Sequence, residues 1–133
     1  MTSEVSYQGK LRTECTHLKS LSSIETDAPL DNNGNGERFS PTDLVATALA
    51  SCMITVMGIR AQCSDIPFKN VVASVQKSMA TSPRRITEIK VEIAVQDSWS
   101  DKQREIMEQV ARGCPVAQSL SPELVQNVSF KYT

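Results

Sequence analysis

Two cysteines, Cys52 and Cys114, stand 62 residues apart in a chain of 133, each at a place where a helix is expected. The thiolate is the reactive form of cysteine; its pKa falls beside a cation or a helix N-terminus and rises in apolar surroundings. Cys114 precedes Pro115, a favoured first helical residue, so it falls at or next to the N-cap of a short helix, Pro115 to Leu120. Cys52 lies mid-helix in a stretch with no charge from Leu44 to Ile59, and it needs a cation brought from elsewhere. Arg12 and Arg38 are the candidates, and Asp43 could hold the guanidinium in a bidentate pair. Activated in this way, Cys52 could attack a peroxide, pass through a sulfenic acid and be resolved by Cys114 as a disulfide. The plainer reading is that a cysteine in an apolar helix is an inert core residue. Cys15 and Cys63 have no motif around them and read as inert. His17, the single histidine, reads as a surface strand residue, and Arg84-Arg85 as a solvated turn.

The element that must carry Cys52 is Ser40 to Gln62. Ser40 and Asp43 form a capping box, Pro41 suits the first helical position, and a carboxylate lies near the positive end of the helix dipole. Leu44, Val45, Ala48, Leu49, Met53, Val56, Met57 and Ile59 cover most of the circumference, which predicts burial on nearly all sides. Sixteen uncharged residues fall short of a membrane span, and Thr47, Ser51, Thr55 and Gly58 dilute the apolarity. A domain of this size barely encloses such a helix alone, so a partner subunit is expected to cover it.

Around that helix the chain reads as α+β in the order βββ-α-ββ-αα-β. Val5 to Gly9, Leu11 to His17 and Leu21 to Asp27 form a meander, followed by a loop over 31–36 rich in residues that tolerate positive φ. Val71 to Ala80 is a strand with weak alternation. Ile86 to Gln96 alternates clearly, with Ile89, Val91, Ile93 and Val95 on one face, as in a half-buried antiparallel strand. Ser100 with Gln103 makes a second capping box for a helix whose stripe is Ile106, Met107, Val110 and Ala111. Gly113 is its expected left-handed stop, and Val125 to Tyr132 closes the chain as a strand.

The length suits a single domain, 1–133. A net charge of -1 with scattered basic residues argues against a nucleic-acid surface. No signal peptide is evident in the polar opening residues, which points to the cytoplasm, where paired cysteines are more often catalytic than structural. No CxxC occurs, and with one histidine a zinc site is poorly supported.

The segment SPTDLVATALASCM, followed some sixty residues later by CPVAQSL, resembles the OsmC/Ohr family of thiol-dependent peroxidases. YQGKLRTECTH, the strand SIETDAP and the terminal VSFKYT fit the same pattern, so the resemblance covers nearly the whole chain. It implies an intertwined homodimer, with cysteine helices packed centrally, antiparallel sheets outside and two active sites at the subunit interface. It also implies reduction of hydroperoxides, organic ones preferentially, without metal, haem or other cofactor. The residue matching Cys52 is peroxidatic and the one matching Cys114 resolving.

The family's activating arginine lies on an N-terminal strand and reaches the cysteine across the dimer; Arg12 in GKLRTE is the best positional match. Its supporting glutamate falls ten residues before the cysteine in the best-characterised branches. Here that position is Thr42, and the acid is Asp43, nine residues before, which rotates the carboxylate by about 100°. Either the clamp is rearranged or Asp43 only caps the helix; the sequence is similar to a less characterised branch.

The resulting expectation is a cytoplasmic, homodimeric hydroperoxide reductase using Cys52, Cys114, Arg12 and Asp43, with a thiol or lipoyl-protein reductant. Met53, Met57 or Phe39 would line an apolar substrate pocket. The alternatives are a low-turnover redox-sensing or apolar-ligand-binding dimer, and a structural dimer with inert buried thiols.

Overall fold

Alternating polar and apolar residues give Ser3–Gly9 (β1), Arg12–His17 (β2) and Ser23–Asp27 (β3), paired antiparallel in the order β1-β2-β3. The β1–β2 connection turns through three consecutive residues of positive φ, Gly9, Lys10 and Leu11. A computed structural model describes all 133 residues, Met1–Thr133, in two compact units, Met1–Val45 and Ala46–Thr133. The first unit contains this sheet, a 3-10 turn at Leu30–Asn32, and the start of a long helix, Pro41–Ser64 (α1). In the loop after β3, Gly34 is required by close approach, since a Cβ there would fall on the Ala28 carbonyl. Asn33 is left-handed, as the loop composition predicts.

The predicted capping box opens α1: Asp43 N–H donates to Ser40 Oγ (3.0 Å), and Ser40 N–H donates to an Asp43 carboxylate oxygen (2.9 Å). The helix runs 24 residues. By length and composition alone it could cross a bilayer, a test that the core helix of a globular domain also passes. In the second unit it is nevertheless the core helix, with Leu49, Met53, Met57 and Ala61 in the apolar interior. Burial on nearly all sides is not observed. Val45, Ala48, Thr55 and Ile59 are exposed at helical spacing, because one sheet and two short helices cover only one face of a helix this long.

The second unit continues with Val71–Ala80 (β4), Arg85–Val95 (β5), Asp101–Arg112 (α2), Pro115–Ser119 (α3) and Val125–Tyr132 (β6). Ile89, Val91, Ile93 and Val95 are wholly buried, as their alternation predicts, and pack with Met107 and Ala111 of α2. The order βββ-α-ββ-αα-β is observed, and the fold class is α+β. The second sheet corrects one expectation: β4 and β5 are antiparallel, but β5 and β6 are parallel. The connection from β5 to β6 carries two helices, enough chain to return in the same direction, whereas a tight turn could only reverse it. Gly113 also departs from expectation, at φ -95 and ψ 15. Its N–H is shared between the Gln109 and Val110 carbonyls, which ends α2 without a left-handed residue.

Candidate active site

In the second unit, Cys114 is the N-cap of α3, with extended φ and ψ of -64 and 153. Its Sγ accepts the Ala117 N–H at 3.4 Å, and the residue is 1% exposed. Burial pushes the thiol pKa up; the Ala117 N–H pulls the other way without prevailing, and the adjacent Cys52 thiol pushes it further up. A lowering at the helix N-terminus, which the sequence suggests, is therefore overruled by desolvation, and a helix of five residues has little dipole to oppose it. The protonated thiol is the form the fold favours. That contribution to stability is present below the thiol's unfolded pKa, about 8.5, and is lost as pH rises through the higher folded value.

Cys52 sits on α1, half-buried, against the core that contains Cys114. Both thiols are free. The helix turn that presents Cys52 is fixed by the wholly buried Leu49 and Met53, which leave its sulfur at the border between the interior and the exposed stripe. The structure thus brings these two predicted residues together as neighbouring thiols, the deeper of which is shifted by burial towards its protonated form.

The other two predicted residues lie in the first unit. Arg12, on β2, is engaged by Asp27 on β3: Nε donates to Oδ1 at 2.7 Å and Nη2 to Oδ2 at 2.8 Å. The Glu37 carboxylate is 3.8 Å from Nη2. The Asp27 hydrogen bonds hold the guanidinium more firmly protonated, against the opposing effect of burial. In return Arg12 holds the Asp27 carboxyl below its usual value, so the pair persists until strongly acidic pH. Asp43 is occupied with the Ser40 cap. Arg38, the alternative cation, donates to Glu25 at 3.1 Å and to the Glu37 carbonyl at 3.0 Å.

Nothing local in the sequence singles out Asp27 as a partner of Arg12, since it reads as the end of a strand before Ala-Pro. The register carries the signal: Arg12 and Asp27 are direct cross-strand partners, so their side chains leave the same face. Met53 and Met57, expected to line a substrate pocket, are wholly buried core residues, since the helix directs them inward with Leu49. Phe39 is exposed and, with Ile24, Glu25, Gly36, Glu37, Arg38 and Asp43, lines an open cleft of about 540 Å³ in the first unit. His17 is exposed and bonds Ser20 Oγ through Nδ1 at 2.6 Å. Cys63 is exposed, and Cys15 half-buried within 3.8 Å of Thr13 Oγ1.

Comparison with known families and structures adds three findings. The model of the family described as OsmC-like protein matches residues 34–129. A crystal structure from Psychrobacter arcticus 273-4, named for osmotic stress induction and a detoxification response, is 48% identical. It superposes with a TM-score of 0.94, covering 98% of this chain and 95% of that one. More distant structures share the fold. An OsmC-like protein from Mycoplasma pneumoniae is 17% identical with a TM-score of 0.79, covering 98% and 94% of the two chains. An organic hydroperoxide resistance protein OsmC from Legionella pneumophila is 16% identical with a TM-score of 0.73, covering 98% and 97%. No curated protein matches the chain.

Proposed function

Since the chain belongs to the OsmC-like protein family, we propose that it is a cytoplasmic, homodimeric, thiol-dependent hydroperoxide reductase. The observation that carries this reading is the reduced Cys52–Cys114 pair, one thiol at the edge of the interior and the other buried behind it. The Cys52 thiolate attacks the distal oxygen of ROOH; the O–O bond breaks, Cys52 becomes a sulfenic acid, and the alkoxide leaves as ROH after taking a proton. The Cys114 sulfur then attacks the sulfenic sulfur, releasing water and forming the Cys52–Cys114 disulfide. A dithiol, small or lipoyl, returns both cysteines to thiols. Cys114, held protonated by burial, does not compete for peroxide before Cys52 has reacted. Arg12 of the partner subunit stabilises the negative charge on Cys52 and on the leaving oxygen. The apolar residues around Cys52 favour alkyl or lipid hydroperoxides over hydrogen peroxide.

The dimer is supported by the uncovered stripe of α1, where Val45, Ala48 and Ile59 face solvent at helical spacing beside Cys52. Packing against the same stripe of a second copy buries it and narrows access to the thiol. Ile59→Glu is expected to convert a species of twice the chain mass into a monomer in light scattering; an unchanged mass would refute the interface.

The reductase reading is tested by peroxide consumption with dithiothreitol or dihydrolipoamide as reductant. Cumene hydroperoxide is expected to be turned over faster than hydrogen peroxide. Consumption of neither sinks the proposal. A second reading, a low-turnover redox-sensing or apolar-ligand-binding dimer, is favoured by one observation: Asp27 already engages the Arg12 charge. Slow oxidation of Cys52 together with tight binding of an apolar ligand would select it.

A further inference from the structure

We propose that Asp27 is the positioning residue for Arg12, doing from β3 what the sequence assigns to Asp43 at the start of α1; this rests on the reductase reading, in which Arg12 serves Cys52. Asp27 is 1% exposed, and both of its oxygens are used by one guanidinium, 26% exposed. A bidentate fork fixes the plane of the guanidinium as well as its location. The acid itself has no freedom. It is the cross-strand partner of Arg12, its N–H donates to the Phe39 carbonyl at 3.1 Å, and its Oδ2 accepts the Glu37 N–H at 3.2 Å.

The clamp also leaves the arginine chemically useful. A guanidinium has five N–H donors, and Asp27 takes one from Nε and one from Nη2. The Nη1 edge, on the far side of the group, remains to meet a thiolate or a peroxide oxygen. A buried ion pair contributes little net stability, because desolvation offsets the attraction. A complete clamp on a partly exposed arginine therefore points to orientation. Asp43 gives one carboxylate oxygen and its N–H to the cap with Ser40. Asp27 further ties Glu37 and Phe39, and Phe39 lines the open cleft of the first unit. The carboxylate thus sets the arginine and Glu37, while the backbone N–H of the same residue holds Phe39.

The test uses the full chain and two readouts: alkylation of Cys52 by iodoacetamide, followed by peptide mapping across pH, and cumene hydroperoxide consumption. Asp27→Asn keeps the shape and an acceptor for the Glu37 N–H. It is expected to slow Cys52 alkylation at neutral pH by about tenfold, equivalent to one pH unit in the profile. Arg12→Lys, on a partly exposed strand residue that leaves folding intact, keeps the charge and loses the fork; it is expected to slow the reaction to the same degree. Adding Asp27→Asn to Arg12→Ala should produce no further loss. Glu105→Gln, at an exposed position of α2 in the second unit, should stay within about twofold of the unaltered protein.

The inference is overturned if Asp27→Asn or Arg12→Lys reacts as fast as the unaltered protein, or if the double variant falls well below Arg12→Ala. Faster alkylation in Asp27→Asn would likewise overturn it, and would mean that the acid only neutralises Arg12. If the unaltered protein consumes no peroxide while the alkylation series holds, the reductase reading fails and the positioning role of Asp27 stands.

Discussion

Cys52→Ser is expected to reduce hydroperoxide consumption by at least about a thousandfold, the scale seen when a nucleophile is removed. Cys114→Ser is expected to permit one oxidation and then stop. On the proposed mechanism the two variants differ because Cys52 is half-buried at the edge of the core, while Cys114 is 1% exposed and its thiol pKa is pushed up by burial. A serine hydroxyl at position 52 is neither ionised at neutral pH nor able to take up an oxygen from peroxide. Intact mass after one equivalent of cumene hydroperoxide separates the steps. The unaltered protein should lose about 2 mass units, mapping to a Cys52–Cys114 bridge, and Cys114→Ser should gain about 16 as a Cys52 sulfenic acid. Excess peroxide should drive that variant on to a gain of about 32, the sulfinic acid, which dithiols do not reverse. An unaltered protein whose Cys52 keeps its mass over minutes would show that the thiol is not activated.

The largest expected effect on stability is at Ile93. It is wholly buried on the central strand of the second sheet, paired with Ala73 on one side and Phe130 on the other. Truncation to alanine removes three carbons and leaves a cavity between strands that hydrogen bonds keep from closing. Ile93→Ala should cost about 3 kcal/mol, within the usual range for such cavities, and lower the melting temperature by roughly 10 °C. Val72→Ala, on β4 and 66% exposed, should change stability by less than about 0.5 kcal/mol. Denaturant unfolding of the two variants decides the matter. A loss at Ile93 below about 1 kcal/mol would mean that the core relaxes around the gap.

The elements were legible where one physical cause dominates locally. Alternation in β5, the reciprocal bonds of Ser40 with Asp43 and of Ser100 with Gln103, and Pro115 after Cys114 each act within a few residues. What escaped depends on partners distant in sequence. The direction of β6 is set by the length of the crossover, which a strand pattern does not encode. The partner of Arg12 is fixed by the register of β2 on β3, and a shift of one residue would have moved Asp27 to the other face. The protonation of Cys114 follows from what buries it, and no neighbour in the sequence announces that. Helical spacing placed Met53 and Met57 on α1, but which arc of that helix faces the interior is decided by the sheet and by α2.

The parallel seating of β6 has a consequence for when the protein becomes chemically competent. β6 pairs with β5 only after both intervening helices have been made, and it then anchors them: Gln126 Nε2 donates to the Ala117 carbonyl in α3, and Arg112 at the end of α2 donates to the Val128 carbonyl. The helix that Cys114 caps is therefore fastened by a strand synthesised after it. While a chain is still growing, Cys52 is already present on its helix with no seated second thiol beside it. On the proposed mechanism, a sulfenic acid formed on Cys52 at that moment would have no seated thiol to close a disulfide with it.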